Sequence, residues 1–174
     1  MRWHPRMKAP ARNRAGPAKT AARDPRTAQF ITYRIGLLAK LLDRGLMPWL
    51  SEQFDLSLAE WRAMTFLYAS PPETVRELAN RMRVDKAEVS RACAELVRRG
   101  YVRRGDDPHD ARSVLFSMTA SGRKLHDVIL PLRQEVQDEM AAVLTKAERA
   151  ALFSAVDKLM AHLLVTNAGR RAGR

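Results

Sequence analysis

The chain has 174 residues, a formal net charge of +12 and a hydrophobic fraction of 46%. This length is enough for one domain with a sizeable core, and the charge predicts an anionic partner such as nucleic acid. No run of 18 or more apolar residues is present, which argues against a membrane span, so we expect a cytoplasmic protein. Cys93 is the sole cysteine, which excludes a disulfide within the chain.

Much of the positive charge lies near the two ends. Residues 1–26 contain eight Arg or Lys against Asp24 alone, and three arginines follow residue 169, which leaves +2 for residues 27–169. We predict a disordered basic arm over 1–26 and a basic tail over 167–174, both able to contact phosphates without reading sequence. For the first segment, an upstream start-codon misassignment and an organelle transit peptide are the alternatives.

Two helices are predicted before residue 73. Apolar residues at helical spacing mark the first, from Phe30 to Leu42, and we expect it to break before or at Pro48. The second begins at Ser57, where Glu60 completes a capping box, and ends at two consecutive prolines. Its apolar side chains are Trp61, Met64 and Leu67.

Residues 74–100 predict a helix-turn-helix. Thr74 and Glu77 have the spacing of a capping box, which predicts a helix over 75–82. A two-residue linker separates it from a helix that starts at Asp85 and has one apolar stripe. Gly100 should end this helix in the left-handed conformation. The stripe consists of Val89, Ala92, Cys93, Leu96 and Val97.

The face opposite this stripe is small and basic. It carries Lys86, Ala87, Ser90, Arg91 and Ala94. Small residues let a helix lie deep in the major groove, a serine can bond a phosphate or a base edge, and an arginine can bind guanine through two hydrogen bonds. The pattern fits a DNA-reading helix, and an ordinary solvated helix face is the alternative.

A β-hairpin is predicted next, with strands over 101–104 and 113–118. The connecting loop GDDPHDAR consists largely of turn-forming residues. Asp110 and Arg112 are close enough in sequence to pair across the loop, which would hold the arginine extended toward a narrow A·T-rich minor groove. A polar hairpin without a DNA role is the alternative.

Two long helices follow the hairpin. The first keeps apolar residues at helical spacing from Leu125 to Val143 and contains Pro131, a residue able to kink it. The second starts at a capping box formed by Thr145 and Glu148. Long apolar stripes at both ends of the chain have nothing obvious to cover them, so we expect a homodimer. Packing of these helices on the chain's own core is the alternative.

In order and spacing, the chain resembles the MarR-type winged helix-turn-helix transcription regulators of bacteria from about residue 30 to residue 165. The matching residues are TVRELANRMRVDKAEVSRACAELVRRGYVRR, the wing DPHDAR and the following LFSMTASGRKL. The most specific part is the Asp-Pro-x-Asp-x-Arg wing followed by a Thr-x-x-Gly helix start. Ala111 departs from the family, which often has arginine or lysine there.

The resemblance implies a mainly α fold with a small β-hairpin wing. It implies one domain at 27–166, with a winged helix-turn-helix at 57–118 and dimerisation helices at 27–50 and 119–166. The implied function is a homodimeric repressor that binds an inverted-repeat operator in double-stranded DNA. The DNA-binding residues expected from the pattern and the resemblance are Thr74, Arg76, Lys86, Ala87, Ser90, Arg91, His109, Asp110 and Arg112.

The resemblance further implies release of DNA by a small molecule, often an aromatic or phenolic acid, bound between the dimer helices and the winged domain. Arg34, Trp61 and Met64 would lie near that cleft. Alternatively, Trp61 is plain core and Arg34 is an exposed or dimer-pairing residue.

Catalysis finds little support. No two of the four histidines have the i, i+4 spacing of a helical metal site, and no glycine-rich phosphate loop occurs, so we expect no enzyme, metal or cofactor. Cys93 lies on a buried stripe, whereas redox-sensing members of the family carry their cysteine in the first helix. Two other functions remain open: a nonspecific nucleic-acid or nucleoid binder driven by the basic tails, and a helical protein-interaction module without DNA binding.

Overall fold

The structure is a computed structural model that describes residues 29–108 and 110–172, without the side chains of 111 and 167–172. The chain divides into two units, Met1–Leu58 and Ala59–Arg174. The predicted basic arm at 1–26 and the wing residue His109 lie outside the described residues.

The first unit contains one long helix, α1, which spans Ile31–Phe54. The expected break before or at Pro48 is wrong, because the helix continues through the proline. A proline removes a single N–H from the helical ladder, and here the helix tolerates that loss. It ends instead at Asp55, whose left-handed backbone (φ 53°) directs its N–H to the carbonyl oxygens of Leu50 and Ser51.

The remaining helices follow the predicted order. They are α2 at Leu58–Tyr68, α3 at Val75–Met82, α4 at Lys86–Arg98, α5 at Ala120–Ala141 and α6 at Lys146–Ala172. Pro131 lies inside α5 and does not interrupt it. Capping explains several of these boundaries. The Thr145 hydroxyl accepts the Glu148 N–H at 3.2 Å, while the Glu148 carboxylate accepts the Thr145 N–H at 2.8 Å.

A three-stranded antiparallel sheet completes the second unit. Strand β1 (Glu73–Thr74), β2 (Val102–Asp107) and β3 (Asp110–Met118) have the spatial order β1-β3-β2. The β2–β3 hairpin is the predicted wing, longer than expected at its loop end. Strand β1 was not predicted, because two residues carry no periodicity and become a strand only by pairing opposite Phe116 and Leu115 of β3.

The core of the second unit draws on every helix from α2 to α5 and on the sheet. The predicted stripe of α4 is buried at Val89, Ala92, Cys93 and Leu96, as expected from its spacing. Other fully or nearly fully buried side chains are Met64, Leu67, Leu78, Val102 and Ile129. Because α4 buries this stripe, its opposite face is turned to the solvent.

Candidate nucleic-acid interface

The start of α3 is held by a reciprocal cap. Thr74 accepts the Glu77 N–H at 3.2 Å, and the Glu77 carboxylate accepts both the Thr74 N–H and its hydroxyl at 2.8 Å. These hydrogen bonds lower the pKa of Glu77. The Thr74 hydroxyl is therefore already hydrogen-bonded within the protein, while Arg76, two residues later, is exposed.

The turn between α3 and α4 lacks a glycine and uses Arg83 instead, in the left-handed conformation with φ 58°. Asp85 then caps α4, accepting the Ala87 N–H at 2.7 Å. At the other end of α4, Nη1 of the C-cap residue Arg99 lies 3.9 Å from Oε1 of Glu60 in α2, and Gly100 adopts the predicted left-handed conformation with φ 73°. Both ends of α4 are thus fixed in the helix-turn-helix.

The small basic face predicted for α4 is exposed. Lys86, Ala87, Ser90, Arg91 and Ala94 all present accessible side chains on the face opposite the buried stripe. None of the five forms a side-chain hydrogen bond or ion pair within the portion of the chain that the structure describes. This face combines two small alanine side chains with two cations and one hydroxyl, a composition suited to contact with a DNA groove.

In the wing, Asp110 bonds to a different group of Arg112 from the one expected. Asp110 accepts the backbone N–H of Arg112 at 2.9 Å and the Ser113 hydroxyl at 2.8 Å, and these bonds lower the pKa of Asp110. No ion pair joins the Asp110 and Arg112 side chains in the described part of the wing, so the predicted side-chain pairing is wrong. The short side chain of Asp110 instead bonds the nearer main-chain N–H, as aspartates often do in turns. The guanidinium of Arg112 is left exposed.

The fold brings the start of α3 and the wing together. Thr74 pairs opposite Leu115 of β3, and the charge of Arg76 contributes to the lowered pKa of Asp110 after its two hydrogen bonds. Two predicted clusters, one on α3 and one on the wing, therefore belong to one continuous surface.

Arg103 is a wing cation that the sequence reasoning missed. Its Nε donates to the Ser117 hydroxyl at 2.9 Å, and the two residues are directly opposite in the β2–β3 register. The bond orients an exposed guanidinium on the hairpin surface. The only sequence signal would have been the strand register itself, which fixes opposite pairs across a hairpin.

The three residues expected to bind a ligand belong to different units of the chain. Trp61 and Met64 are buried in the second unit, and Trp61 stacks on His126 of α5. Arg34 is an exposed residue of α1 in the first unit. Their joint role remains a prediction.

Groups that could support other chemistry are sparse. Within the described ranges, no cluster of His, Cys, Asp and Glu has the arrangement of a metal site. Burial raises the pKa of the Cys93 thiol to about 11, so this sulfur is a poor nucleophile at neutral pH. Among the helices described, none is both long and apolar enough to cross a membrane.

Sequence comparison identifies the family. A sequence profile described as MarR family matches residues 54–113. The HTH-type transcriptional regulator MT0903.1 of Mycobacterium tuberculosis is 37% identical over 106 residues, which cover 61% of this chain and 74% of that protein. The chain belongs to the MarR family. It is a transcriptional regulator with a winged helix-turn-helix, and its relatives are regulators and not enzymes.

Solved structures share this fold. The apo form of MarR from E. coli superposes with a TM-score of 0.65 at 27% identity, covering 75% of this chain and 96% of that one. The S. aureus MepR–DNA complex has a TM-score of 0.69 at 21% identity, covering 77% and 98%. PcaV from Streptomyces coelicolor, solved with its natural ligand, has a TM-score of 0.65 at 22% identity, covering 81% and 97%.

Proposed function

We propose that this MarR-family regulator is a homodimeric repressor that binds an inverted-repeat operator and releases it when a small aromatic or phenolic acid binds. The proposal places the protein in the cytoplasm, where it reaches chromosomal DNA. The observation that carries it is the exposed face of α4, on which Ser90 and Arg91 project beside alanines.

The α4 face and the wing suit two different grooves. Arg91 is exposed and an arginine can bind guanine in the major groove, while the small Ala87 side chain permits close approach of the helix. Arg112 and Arg103 supply exposed cations on the hairpin, suited to an adjacent minor groove or backbone. The MepR–DNA complex, which shares the fold, supports DNA as the partner.

Exposed apolar side chains support the homodimer. On α1, Ile31 is 61% exposed, and on α6, Val165 is 76% exposed. Further large apolar residues with considerable exposure on these two helices are Ile35, Leu38, Leu41, Met47, Phe153, Met160 and Leu163. Such extended apolar surface is typical of an interface, and a second copy offers an equivalent surface related by a two-fold axis.

An effector of the aromatic-acid type is supported by residue chemistry and by one relative of similar fold. Arg34 of α1 is exposed and offers a cation that can bind a carboxylate in two-point fashion. PcaV, solved with its natural ligand, supports a small-molecule effector in general.

The test of DNA binding is selection of bound fragments from a pool of genomic DNA, followed by footprinting and by sedimentation of the free protein. We expect a recovered palindrome whose half-sites are about 10–10.5 bp apart, bound by a dimer. Affinity that survives scrambling of the site would favour a nonspecific binder. Absence of any mobility shift at low salt would favour a protein-interaction module.

The effector is tested separately with a panel of hydroxylated benzoic acids added to the protein–operator complex. We expect at least one acid to displace the protein, and Arg34→Met to lose this response while retaining operator affinity. Lys40→Met is the matched control, because Lys40 is another exposed cation of α1. An equal loss in both variants would contradict a specific role for Arg34.

A further inference from the structure

His126 of α5 packs against two aromatic rings of α2. Its imidazole stacks on Tyr68, with centroids 4.1 Å apart and planes at 20°, and on Trp61, with centroids 5.1 Å apart and planes at 16°. Trp61 and Tyr68 are two helical turns apart, so the imidazole is held between them. We call Trp61, Tyr68 and His126 the α2–α5 latch.

A second contact strengthens the same junction. Arg123, one turn before His126, donates to the Tyr68 carbonyl oxygen at 3.0 Å and lies over the Tyr68 ring at 5.2 Å. The junction joins two parts of the DNA-binding region, because α5 directly follows the wing strand β3 and α2 directly precedes β1 and α3. This contact and the pairing of β1 with β3 therefore both link the wing to the helix-turn-helix.

The imidazole of His126 is poorly placed to carry a charge. It is 3% exposed, and neither ring nitrogen has a hydrogen-bond partner within the described ranges. Asp127 is the nearest carboxylate, but its Oδ1 lies 3.9 Å from Nδ1, too far for a hydrogen bond. A proton added to this ring would create a buried cation without a hydrogen bond to compensate its lost hydration, and the attraction of a cation to the two ring faces offsets only part of that cost.

The surrounding titratable groups do not remove this cost. Burial lowers the pKa of His126, the attraction of Asp127 opposes that effect without reversing it, and the charge of Arg123 lowers the pKa further. On α2, Tyr68 is the titratable group at the ring, and a hydrogen bond to Asp127 raises its pKa, so it stays neutral. The latch therefore holds a neutral imidazole near pH 7.

We propose that the α2–α5 latch is an acid-sensitive device, in which protonation of His126 loosens the attachment of α5 to α2 and lowers the affinity of the protein for DNA. The proposal rests on the proposed operator binding for its DNA readout only. Its structural part, the loosening of the latch, concerns the free protein.

Linkage fixes the direction of the pH effect. Because the pKa of His126 is lowered in the folded state, the stabilisation by the neutral ring is fully present above the ordinary value of 6.5. It declines as the pH falls from that value through the folded-state pKa. If DNA binds only the form in which the neutral His126 ring is stacked on Trp61 and Tyr68, a fall in pH lowers the affinity for DNA. The decrease is at most about tenfold per pH unit for each protomer.

The first measurement is an NMR titration of the assigned His126 ring in the wild-type protein without DNA. We expect its midpoint below 6.5, the ordinary value for a histidine side chain. A midpoint at or above 6.5 would overturn the proposal. This measurement needs no variant and stands whether or not the protein binds an operator.

The second measurement follows the thermal unfolding midpoint and operator affinity between pH 7.5 and 5.5 at constant ionic strength, in wild type and three variants. His126→Phe keeps an aromatic ring in the stack and cannot titrate, so both quantities should lose most of their acid dependence. His162→Gln, the matched control, should behave as wild type. His109→Asn removes the wing histidine, which the sequence places among the expected DNA-binding residues.

The outcomes separate the two proposals. Acid dependence that persists in His126→Phe, or disappears in His109→Asn, would refute the latch. In another outcome, His126→Phe loses the acid dependence of unfolding, but the protein binds no specific DNA sequence at any pH. That result would support the loosening of the latch by acid. It would contradict the repressor function and the coupling of the latch to DNA binding.

Discussion

Replacement of Gly122 by alanine should destabilise the protein through a single backbone contact. Gly122 lies in the first turn of α5, where Thr119 caps the helix by accepting its N–H at 3.1 Å. An added Cβ would penetrate the carbonyl oxygen of Tyr101 and lie 3.0 Å from its carbonyl carbon and 3.1 Å from Cε of Met118. The methionine can move, but the carbonyl cannot move easily, because it also accepts the Thr119 N–H at 3.1 Å.

The expected magnitude follows from two opposing terms. Alanine is favoured over glycine in a helix by up to about 1 kcal/mol, while overpacking costs about 1–3 kcal/mol and reaches the upper end where the obstacle is backbone. The net loss is therefore about 2 kcal/mol. For a chain of this size, that loss lowers the melting temperature by roughly 4–8 °C.

The assay is thermal and urea unfolding followed by circular dichroism, at one protein concentration because an oligomer's midpoint depends on it. Gly105→Ala is the matched control, since a Cβ at Gly105 meets nothing within 4 Å. We expect the control to stay near wild type or to gain up to about 1 kcal/mol. Equal midpoints for Gly122→Ala and Gly105→Ala would refute the reasoning.

Four further results are expected. Thr74→Ala removes the α3 cap and should cost about 0.5–2 kcal/mol of unfolding free energy, measured by urea denaturation; a loss of zero would show that the cap is dispensable. Arg91→Ala should remove about 1–3 kcal/mol of discrimination at one base pair in a DNA selection, and equal weakening on random DNA would indicate phosphate contact only. Asp110→Ala should weaken binding mainly on A·T-rich flanks, because it frees the main chain that presents Arg112, and an Arg112→Ala variant with unaltered affinity on every flank would contradict this role for the wing. Because the pKa of Cys93 is about 11, iodoacetamide at pH 8 should label the unfolded but not the folded protein, and rapid labelling of the folded protein, followed by mass spectrometry, would argue against its burial.

Local sequence determined most of the helical elements, because their signals act over three or four residues. The Thr74–Glu77 and Thr145–Glu148 caps form as their spacing predicts, and Gly100 has the expected positive φ. The buried stripe of α4, with Cys93 inside it, likewise follows from a 3.6-residue period. The exposed face of α4 is the other side of that same pattern.

Tertiary structure decided the features whose partners are distant in sequence. Strand β1 exists because β3 lies beside it, Arg103 is oriented by Ser117 across the hairpin, and the His126 ring is held by α2, nearly sixty residues before it. For Pro48 and Asp110, rules about the residue type alone gave wrong predictions. The rule for proline predicted a helix break at Pro48, and the opposite charges of Asp110 and Arg112 predicted an ion pair, but neither forms in the described part of the structure. Burial, stacking and close approach depend on the arrangement of whole elements in space, and no short segment carries that information.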